Sequence, residues 1–382
     1  MTEPMLEEDE WLPWLRLWRA AGIGQVRGLD LLQRYGSPEA ILGQTQDELV
    51  GGAKLPREVA AGIARGCSLD VARAELARLR KLRVRLVNLH SSQYPALLRE
   101  MPHAPILLAR LGPLADPGQR AIAVVGSRQA GARAQRIAYD FARAFAAEGV
   151  TVVSGLAKGV DRAAHEGALS VPNGRTIAVL GNGLARVYPT EHTRLATRIR
   201  EGGALWSELP PDEPPNRWNF PERNRIIAGA ALGVVVIAAR ERSGALITAR
   251  HAVDIGRETF TIPGTLDDVF SRGSNHLLKA GNAHFVEGPS EVLEKLQFTQ
   301  PKPNVELRPA LYAGDPRVSR EPLPGVPGEV ARYLEAEARI CTFDEIVFSN
   351  RIDARAAISA LGFLACKRRV KEVPGVGYLA VV

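Results

Sequence analysis

The chain has 382 residues, enough for two or three domains, and 49 Lys and Arg against 42 Asp and Glu give it a formal net charge of +7. This balance favours a polyanionic partner, although only weakly. No run approaches the ~18 consecutive apolar residues of a membrane span, and the acidic first ten residues are unlike a signal peptide. The three cysteines are far apart, which suits reduced thiols. Composition therefore predicts a soluble, cytoplasmic protein without membrane insertion.

Residues 1–68 are predicted to form a small helical domain. Three tryptophans at helical spacing share one face, namely Trp11, Trp14 and Trp18. A Gly-x-Gly turn follows at residues 22–24, and Ser37 before Pro38 is typical of a helix start. The pattern is that of a helix-hairpin-helix (SAM-like) domain. Contact with a nucleic-acid backbone and a purely packing role are both open for it.

Residues 69–297 are predicted to form the main domain. A helix at 71–82 and short strands at 84–87 and 106–110 lead into it. Six further apolar runs have the length of strands: residues 121–125, 150–153, 176–180, 204–206, 232–238 and 259–262. Apolar strands separated by helices indicate a parallel sheet covered on both faces. The predicted class is α/β, an extended Rossmann-like, doubly wound and mostly parallel sheet.

The C-terminal part is predicted to be a linker followed by a third domain. Residues 298–327 are rich in proline and have little apolar periodicity, which is typical of a linker. Residues 328–382 show three helical segments and then a hairpin turned at Pro374-Gly375. This order predicts a winged helix, with residues 354–366 in the recognition position. Binding of duplex DNA and docking of a protein are both left open.

The segment from Ser154-Gly155 to His165 follows an apolar strand and opens a helix that carries Lys158 and Arg162 near its start. The first backbone N–H groups of a helix have no partner within it, and anions bind such turns. The pattern predicts a phosphate cradle. The phosphate could belong to a dinucleotide, to a nucleotide that is hydrolysed or to a nucleic-acid backbone.

The turn formed by residues 126–128 matches neither of two common nucleotide-binding motifs. Ser127 stands where a dinucleotide loop has its second glycine, and the next strand ends in Ser154 instead of an acid for a ribose hydroxyl. A phosphate-binding loop of the Walker type needs Lys-Ser/Thr where this chain has Ala132-Arg133. The motifs therefore predict neither a dehydrogenase nor an ATPase of this kind.

The sequence contains no motif for a metal site or a cofactor. A zinc protease would have a second histidine at Leu169, and the chain lacks a Cys-x-x-Cys pair. His165 is expected to form a hydrogen bond or to pack. Asp161 and Glu222 could face one cleft as an acid–base pair, but an acid in the first helical turn is favoured by the macrodipole alone. Neither a catalytic residue nor a metal nor a cofactor is predicted.

Two more basic clusters lie beside later strand ends. Residues 215–225 combine Arg217, Trp218 and Phe220 with further arginines and amides, which suits phosphate contacts beside a base-stacking platform. Residues 242–248 repeat the Ser-Gly turn into a helix. Ligands of such sheets bind at the carboxyl ends of the strands. Four loops are therefore predicted to line one sheet edge that holds phosphates and has no evident nucleophile.

This series of motifs resembles the bacterial DNA-processing protein A family (DprA, also called Smf). The main matching motifs are Val125-Gly126-Ser127-Arg128, Val153-Ser154-Gly155-Leu156-Ala157-Lys158-Gly159-Val160-Asp161, Tyr188-Pro189, Ser207-Glu208, Phe220-Pro221-Glu222-Arg223-Asn224-Arg225, Ser243-Gly244-Ala245-Leu246-Ile247-Thr248 and Pro263-Gly264. They lie between about 120 and 290. Gly131 replaces a usual hydroxyl, Arg133-Ala134 replaces Tyr-Gly, and Lys158 stands where Arg is common.

The resemblance implies a single-stranded-DNA-binding protein without catalytic turnover, which protects incoming DNA in natural transformation and helps load the RecA recombinase. It also implies a homodimer formed through the Rossmann-like domain. The implied DNA-binding residues are Ser127, Arg128, Ser154, Gly155, Lys158, Gly159, Asn182, Arg217, Phe220, Arg223, Asn224, Arg225, Ser243, Gly244 and Thr248. Arg128, Lys158 and Arg217 would supply charge, and Phe220 would stack on a base.

The alternative class is a Rossmann-like enzyme similar to the phosphoribohydrolases that act on nucleoside monophosphates. Those enzymes carry Pro-Gly-Gly-x-Gly-Thr-x-x-Glu, whose acid works on the glycosidic bond. Here residues 243–248 are followed by Ala249-Arg250-His251, without that Glu. Fold-level analogy alone is a poor guide to function. A transcription factor built on the winged helix does not explain why the pocket motifs lie elsewhere.

Overall fold

The computed structural model describes residues 7–298 apart from 115, 119 and 266, together with 323–337, 341, 343–367, 369–373 and 377–380. The chain divides into two compact units, Met1–Thr299 and Gln300–Val382. Among the described residues, no helix is both long and apolar enough to cross a membrane. Most of the predicted linker, at 299–322, lies outside the described residues.

The first unit begins with six helices: α1 Glu8–Trp18, α2 Gln25–Tyr35, α3 Pro38–Leu42, α4 Gln46–Ala53, α5 Arg57–Arg65 and α6 Leu69–Lys81. The predicted tryptophan face is confirmed, since all three side chains are buried. Ser37 caps α3 by accepting a hydrogen bond from the Ala40 N–H at 3.2 Å. The apolar core of these helices continues into that of the sheet through Leu107 and Leu205. The domain boundary at 68/69 stays a prediction.

One nine-stranded sheet forms the centre of the first unit. Its strands are β1 Arg85–Asn88, β2 Leu107–Leu111, β3 Ala121–Gly126, β4 Thr151–Ser154, β5 Thr176–Val179, β6 Ala204–Ser207, β7 Gly233–Ile237, β8 Glu258–Thr261 and β9 His284–Phe285. Their spatial order is β1-β2-β6-β5-β4-β3-β7-β8-β9. In this spatial order, all neighbours from β6 through β5, β4, β3, β7 and β8 to β9 are parallel. At the other side, β2 pairs antiparallel with β6, and β1 pairs antiparallel with β2. The predicted Rossmann-like class is confirmed.

Helices cover both faces of this sheet: α7 Ala96–Arg99, α8 Ala132–Ala147, α9 Val160–Ala168, α10 Thr193–Gly202, α11 Asn219–Gly229, α12 Gly244–Asp254, α13 Arg272–Lys279 and α14 Pro289–Lys295. Alternate residues of β3 enter different cores, because successive side chains of a strand point to opposite faces. Ala123 and Val125 join one core, whereas Ile122 and Val124 join the other. This double burial explains why the strands are apolar throughout.

The sheet has its topological switch point at β3. The chain runs from β3 outward through β4, β5 and β6, and then returns to place β7 on the other side of β3. The loops after β3 and β7 therefore diverge to opposite faces. In open α/β sheets, this divergence leaves a crevice at the carboxyl ends of the two strands, where ligands bind.

The second unit contains α15 Gly325–Glu337, α16 Phe343–Asn350, α17 Ala354–Cys366 and the antiparallel pair β10 Val370–Val373 and β11 Gly377–Ala380. This is the predicted order of a winged helix. α15 begins three residues before the predicted start of this domain at 328, and the predicted turn at 374–375 lies outside the described residues. At the start of the predicted linker, Phe298 is buried in the core of the first unit.

Candidate nucleic-acid interface

A cleft of ≈ 730 Å³ lies at the switch point, between the loops that follow β3 and β7. Nine of the fifteen predicted site residues line it, namely Ser127, Arg128, Arg217, Phe220, Arg223, Asn224, Ser243, Gly244 and Thr248. Further residues that are not among the fifteen also line it, among them Tyr188, Arg240 and Arg242. Arg242 lies in a basic cluster that the sequence places at this edge, whereas Arg240 is missed by the sequence analysis. We call this set of residues the cleft.

The turn after β3 is held in place by close backbone contacts. A Cβ on Gly126 would lie 1.9 Å from the Ile237 carbonyl oxygen, so only glycine fits between β3 and β7. The Ser127 N–H donates to the Ala238 carbonyl at 3.0 Å, and its Oγ accepts from the Gln129 N–H at 3.1 Å. These contacts leave Arg128 exposed at the mouth of the cleft.

The predicted phosphate cradle after β4 is built differently from the expectation. The Asp161 carboxylate accepts hydrogen bonds from the Gly155 and Ala157 N–H groups, at 3.1 and 3.3 Å. The Val160 N–H donates to the Ser127 carbonyl. Three backbone donors of the expected cradle, those of Gly155, Ala157 and Val160, are therefore already bonded within the protein. The sequence analysis did not anticipate these bonds, because it considered Asp161 as a charge at a helix start or as a member of an acid–base pair.

Arg223 supports the same loop from beneath. It donates to the carbonyl oxygens of Gly155, at 2.8 Å, and of Val179, and its Nε donates to Asn224 Oδ1 at 3.2 Å. Burial lowers the pKa of Arg223 to about 10, and the attraction of Asp161 opposes this shift. Arg223 is therefore charged at neutral pH. Its main-chain contacts make it a positioning residue for the floor of the cleft.

Six predicted site residues do not line the cleft. Ser154 and Asn182 are buried, and both bond to backbone carbonyls, Ser154 to Val124 and Asn182 to Gly183 and Arg186. The buried Arg225 forms an ion pair with Glu208 at 2.5 Å. The other three are Gly155, Lys158 and Gly159.

Lys158 and Gly159 lie on the loop beside the cleft. The Lys158 Nζ pairs with Glu191 at 2.7 Å, and both side chains are more than half exposed. This hydrogen bond lowers the pKa of the Glu191 carboxyl. Gly159 has a φ of +75°, and a Cβ there would lie 2.4 Å from the Ser127 carbonyl oxygen. The glycine thus permits the close approach of the two loops.

The predicted histidine of this region is structural. His165 is fully buried, and its Nδ1 lies 2.7 Å from Thr176 Oγ1. Thr176 Oγ1 donates to the Val152 carbonyl, so it accepts from His165 Nδ1–H. Burial lowers the pKa of His165 to about 3, with His192 and Arg223 adding repulsion. His165 is therefore a neutral side chain that fixes α9 to the sheet.

Three arginines of the cleft each lie over an aromatic ring. The Cζ-to-centroid distances are 5.0 Å for Arg128 on Phe220, 4.5 Å for Arg217 on Trp218 and 4.1 Å for Arg240 on Phe270. In the part of the chain that the structure describes, none of these arginines has a carboxylate partner. Their positive charge is thus available to a ligand.

The cleft combines this charge with aromatic and hydroxyl groups. Phe220 also contacts Tyr188, with ring centroids 5.7 Å apart, and Tyr188 is 42% exposed. The Asn224 side chain donates to the Gly244 carbonyl at 3.0 Å, which fixes the start of α12. Among the lining residues the one carboxylate is Asp161, which is occupied by backbone N–H groups. The arrangement can neutralise phosphates and stack against planar groups.

Fold and cleft together define a Rossmann-like α/β protein with a basic, aromatic-lined candidate site at the switch point of its sheet. The model of the family described as DNA recombination-mediator protein A matches residues 85–297, which is more than half of the chain. The chain therefore belongs to this family.

Similarity to individual proteins supports the same assignment. Protein Smf of Escherichia coli is 46% identical over 214 residues, which are 56% of this chain and 57% of that protein. The X-ray structure of DNA processing protein A from Streptococcus pneumoniae is 32% identical with a TM-score of 0.60, and the match covers 74% of this chain and 97% of that one. A DNA processing protein A structure from Helicobacter pylori, described for its single-stranded DNA binding mode, is 25% identical with a TM-score of 0.51, covering 56% and 96%.

Proposed function

We propose that this protein binds single-stranded DNA in the cleft and acts in natural transformation and recombination. In this role it protects incoming DNA and helps load the RecA recombinase onto it, without catalytic turnover. The observation that carries the DNA-binding part is the set of three arginines, each over an aromatic ring and without a carboxylate partner, around one cleft. The single-stranded DNA binding of the H. pylori relative supports the same proposal.

The chemistry of the cleft favours a single strand over a duplex. Proteins that bind single strands combine cations along the backbone with aromatic rings on which unpaired bases stack. Arg128 and Arg217 offer phosphate contacts directly beside Phe220 and Trp218. Trp218 is 65% exposed, so its ring is open to a base. Paired bases in a duplex would not present their faces to these rings.

We assign different roles to the predicted residues according to their position. Those that line the cleft contact the strand, apart from Arg223. Arg223 positions the loops around the cleft, together with Ser154, Asn182 and Arg225. Lys158 lies next to the cleft on an exposed ion pair, and such pairs contribute little to stability. A phosphate can therefore compete with Glu191 for it. Ser243 caps α12 through the Ala245 N–H and leaves Gly244 exposed at the helix start.

The proposal extends to partners that the resemblance to the family implies. The protein acts in the cytoplasm, forms a homodimer through the Rossmann-like domain and meets RecA while it holds DNA. The winged helix provides a second interaction module. The sequence leaves two kinds of partner open for it, duplex DNA and another protein.

A competition assay tests the proposal. Labelled single-stranded oligonucleotide is bound to the full chain and competed with unlabelled single-stranded or duplex DNA, while base release from nucleoside monophosphates is followed in parallel. We expect the single strand to compete far better than the duplex, and no base to be released. Equal competition by the duplex would contradict the preference for a single strand. Release of base would contradict the absence of turnover and favour the phosphoribohydrolase class.

A further inference from the structure

A second pocket, of ≈ 460 Å³, is lined by Arg83, Arg85, Leu111, Gly112, Pro113, Thr197, Arg200 and Glu201. We call it the arginine pocket. Leu111 ends β2 and pairs with Leu205 near the start of β6. Because β6 runs parallel to β3, the amino end of β6 lies at the sheet edge opposite the cleft. The arginine pocket is thus separate from the site described above.

Two of the three arginines that line the pocket carry a charge without an ion pair among the described residues. Within the described part of the chain, neither Arg83 nor Arg200 forms an ion pair, and Glu201 pairs with neither of them. Arg83 also has a φ of +56°, a backbone conformation that side chains other than glycine and asparagine rarely adopt. The fold therefore holds an arginine in a strained position at the mouth of the pocket.

A buried arginine lies directly behind the pocket wall. Arg110 is 3% exposed and is the cross-strand neighbour of Arg85, so both side chains lie on the same face of the sheet. It donates to the carbonyl of Pro113, a lining residue, and to Gln93, each at 3.2 Å, and its Nε has no partner. It forms no ion pair with a described carboxylate. Buried charges are normally paired, so this cation points to an anion from outside the chain.

We propose that the arginine pocket is a second phosphate site that takes the backbone of single-stranded DNA. Guanidinium groups bind phosphate oxygens in a fork geometry, which matches a pocket with several arginines. The lining contains no aromatic ring, so the contact is to phosphate and not to bases. With only Leu111 and Pro113 as larger apolar residues, the pocket is a poor match for a protein partner. The choice of DNA over a free anion rests on the proposed function of the cleft.

The parallel strands β3 to β8 each have four to six residues. The sheet edge with the cleft and the edge with the arginine pocket are therefore about 13–20 Å apart, measured along the strands. Helices cover both faces of the sheet, so a DNA strand follows a longer path around them from the cleft to the arginine pocket. A probe of about 4 nucleotides held in the cleft does not cover this path, whereas a long strand does.

The test compares oligonucleotides of about 4 and about 30 nucleotides. The variant is Arg83→Asn with Arg200→Ala, since asparagine tolerates the positive φ and alanine suits the exposed helical position. Thermal unfolding checks that it folds.

For the variant we expect unchanged affinity for the short probe. The long probe should bind about tenfold more weakly, and its log–log salt slope should be shallower by about 1.4, or about 0.7 for each arginine. Arg136→Ala with Arg143→Ala on α8 is the matched control and should change neither probe. Inorganic phosphate, added at low concentration, should not displace the long probe from the wild-type protein.

Unchanged affinity and salt slope for the long probe would overturn the proposal and leave the pocket to an anionic protein surface. Equal weakening of both probes would also overturn it, because a general field would then explain the effect. Displacement by inorganic phosphate at low concentration would assign the pocket to a free anion instead. Failure of the proposed function is recognised separately, since the short probe would then not bind the wild-type chain.

Discussion

The Arg128 guanidinium lies over the ring of Phe220, with Cζ 5.0 Å from the ring centroid, and this contact joins a loop to a helix far away in sequence. Arg128 follows β3, whereas Phe220 lies in the first turn of α11. The ring also packs on Gly181, where a Cβ would lie 2.6 Å from it. Phe220 therefore holds an arginine in the cleft and borders on the backbone at the end of β5.

Replacing Phe220 separates a binding role from a packing role. If the ring stacks on a base, Phe220→Ala should weaken single-strand affinity by about 1–3 kcal/mol. Replacing a fully buried Phe by Ala lowers the free energy of unfolding by about 3–5 kcal/mol. Because the Phe220 side chain is only half-buried, its loss of stability should be smaller. Titration and thermal unfolding of the same sample give both quantities. A loss of stability with normal binding would remove Phe220 from the site.

Glu191 is expected to compete with DNA for Lys158. Glu191→Gln removes the carboxylate at 2.7 Å from Nζ and keeps the side-chain shape. Single-strand affinity should then rise, by at most about fivefold, since exposed ion pairs are weak. In Lys158→Ala the same Glu191 change should have no effect. The four proteins form a double-mutant cycle, and independent effects of the two changes would show that the ion pair does not limit binding.

His165 should make the stability of the first unit depend on pH. Its pKa is about 3 in the folded protein against 6.5 for a free side chain, so the unfolded chain binds the proton first as pH falls. The stabilisation is therefore present above about pH 6.5 and is lost towards pH 3. From about pH 7.5 to about pH 5 the free energy of unfolding should fall by about 2 kcal/mol from this residue.

Denaturant unfolding of His165→Gln across the same pH range measures this term. The variant should be less stable at pH 7.5 but should have a flatter pH profile than the wild type. His103→Gln, at an exposed histidine without an ion pair among the described residues, is the control and should keep the wild-type profile. A His165→Gln profile parallel to that of the wild type would contradict the assignment.

The winged helix should be dispensable for binding a single strand. It forms a compact unit of its own, and the residues of the cleft all lie in the first unit. Deleting residues 322–382 keeps Phe298 in its core and should change single-strand affinity by less than about tenfold, or about 1.4 kcal/mol. A larger loss with an unchanged circular dichroism spectrum of the first unit would make the tail part of the site.

The sequence predicts the sheet because its strands are apolar on both faces, and strand ends then locate the cleft. This logic correctly brings Ser127, Arg128 and Ser243 together. It does not reveal side-chain direction. When a strand is buried on both faces, its pattern does not show whether the last side chain points into the cleft or into the protein. The Ser154 side chain points into the protein and donates to the Val124 carbonyl.

Contacts made by tertiary packing are also beyond the sequence pattern. Arg223 and Arg225 look alike in a basic stretch of sequence, but both are buried. Arg225 pairs with Glu208, and Arg223 donates to the Gly155 carbonyl. Phe270 lies in a loop without periodicity, so nothing in the sequence pairs it with Arg240. The strand-end rule could have suggested Arg240, since it follows β7 closely. Asp161 reaches back to the amides of its own loop, which a helix-start argument does not anticipate.

The most direct test of the account is the salt dependence of single-strand binding in a triple variant, Arg128→Ala, Arg217→Ala and Arg240→Ala. Each phosphate neutralised contributes about −0.7 to the log–log slope, so the slope should become shallower by about 2. Binding should weaken at every salt concentration and for every base sequence, since phosphate contacts carry no sequence information directly. The matched variant Arg136→Ala, Arg143→Ala and Arg175→Ala should keep the wild-type slope. An unchanged slope in the cleft variant would contradict the central claim and assign the cleft to another ligand.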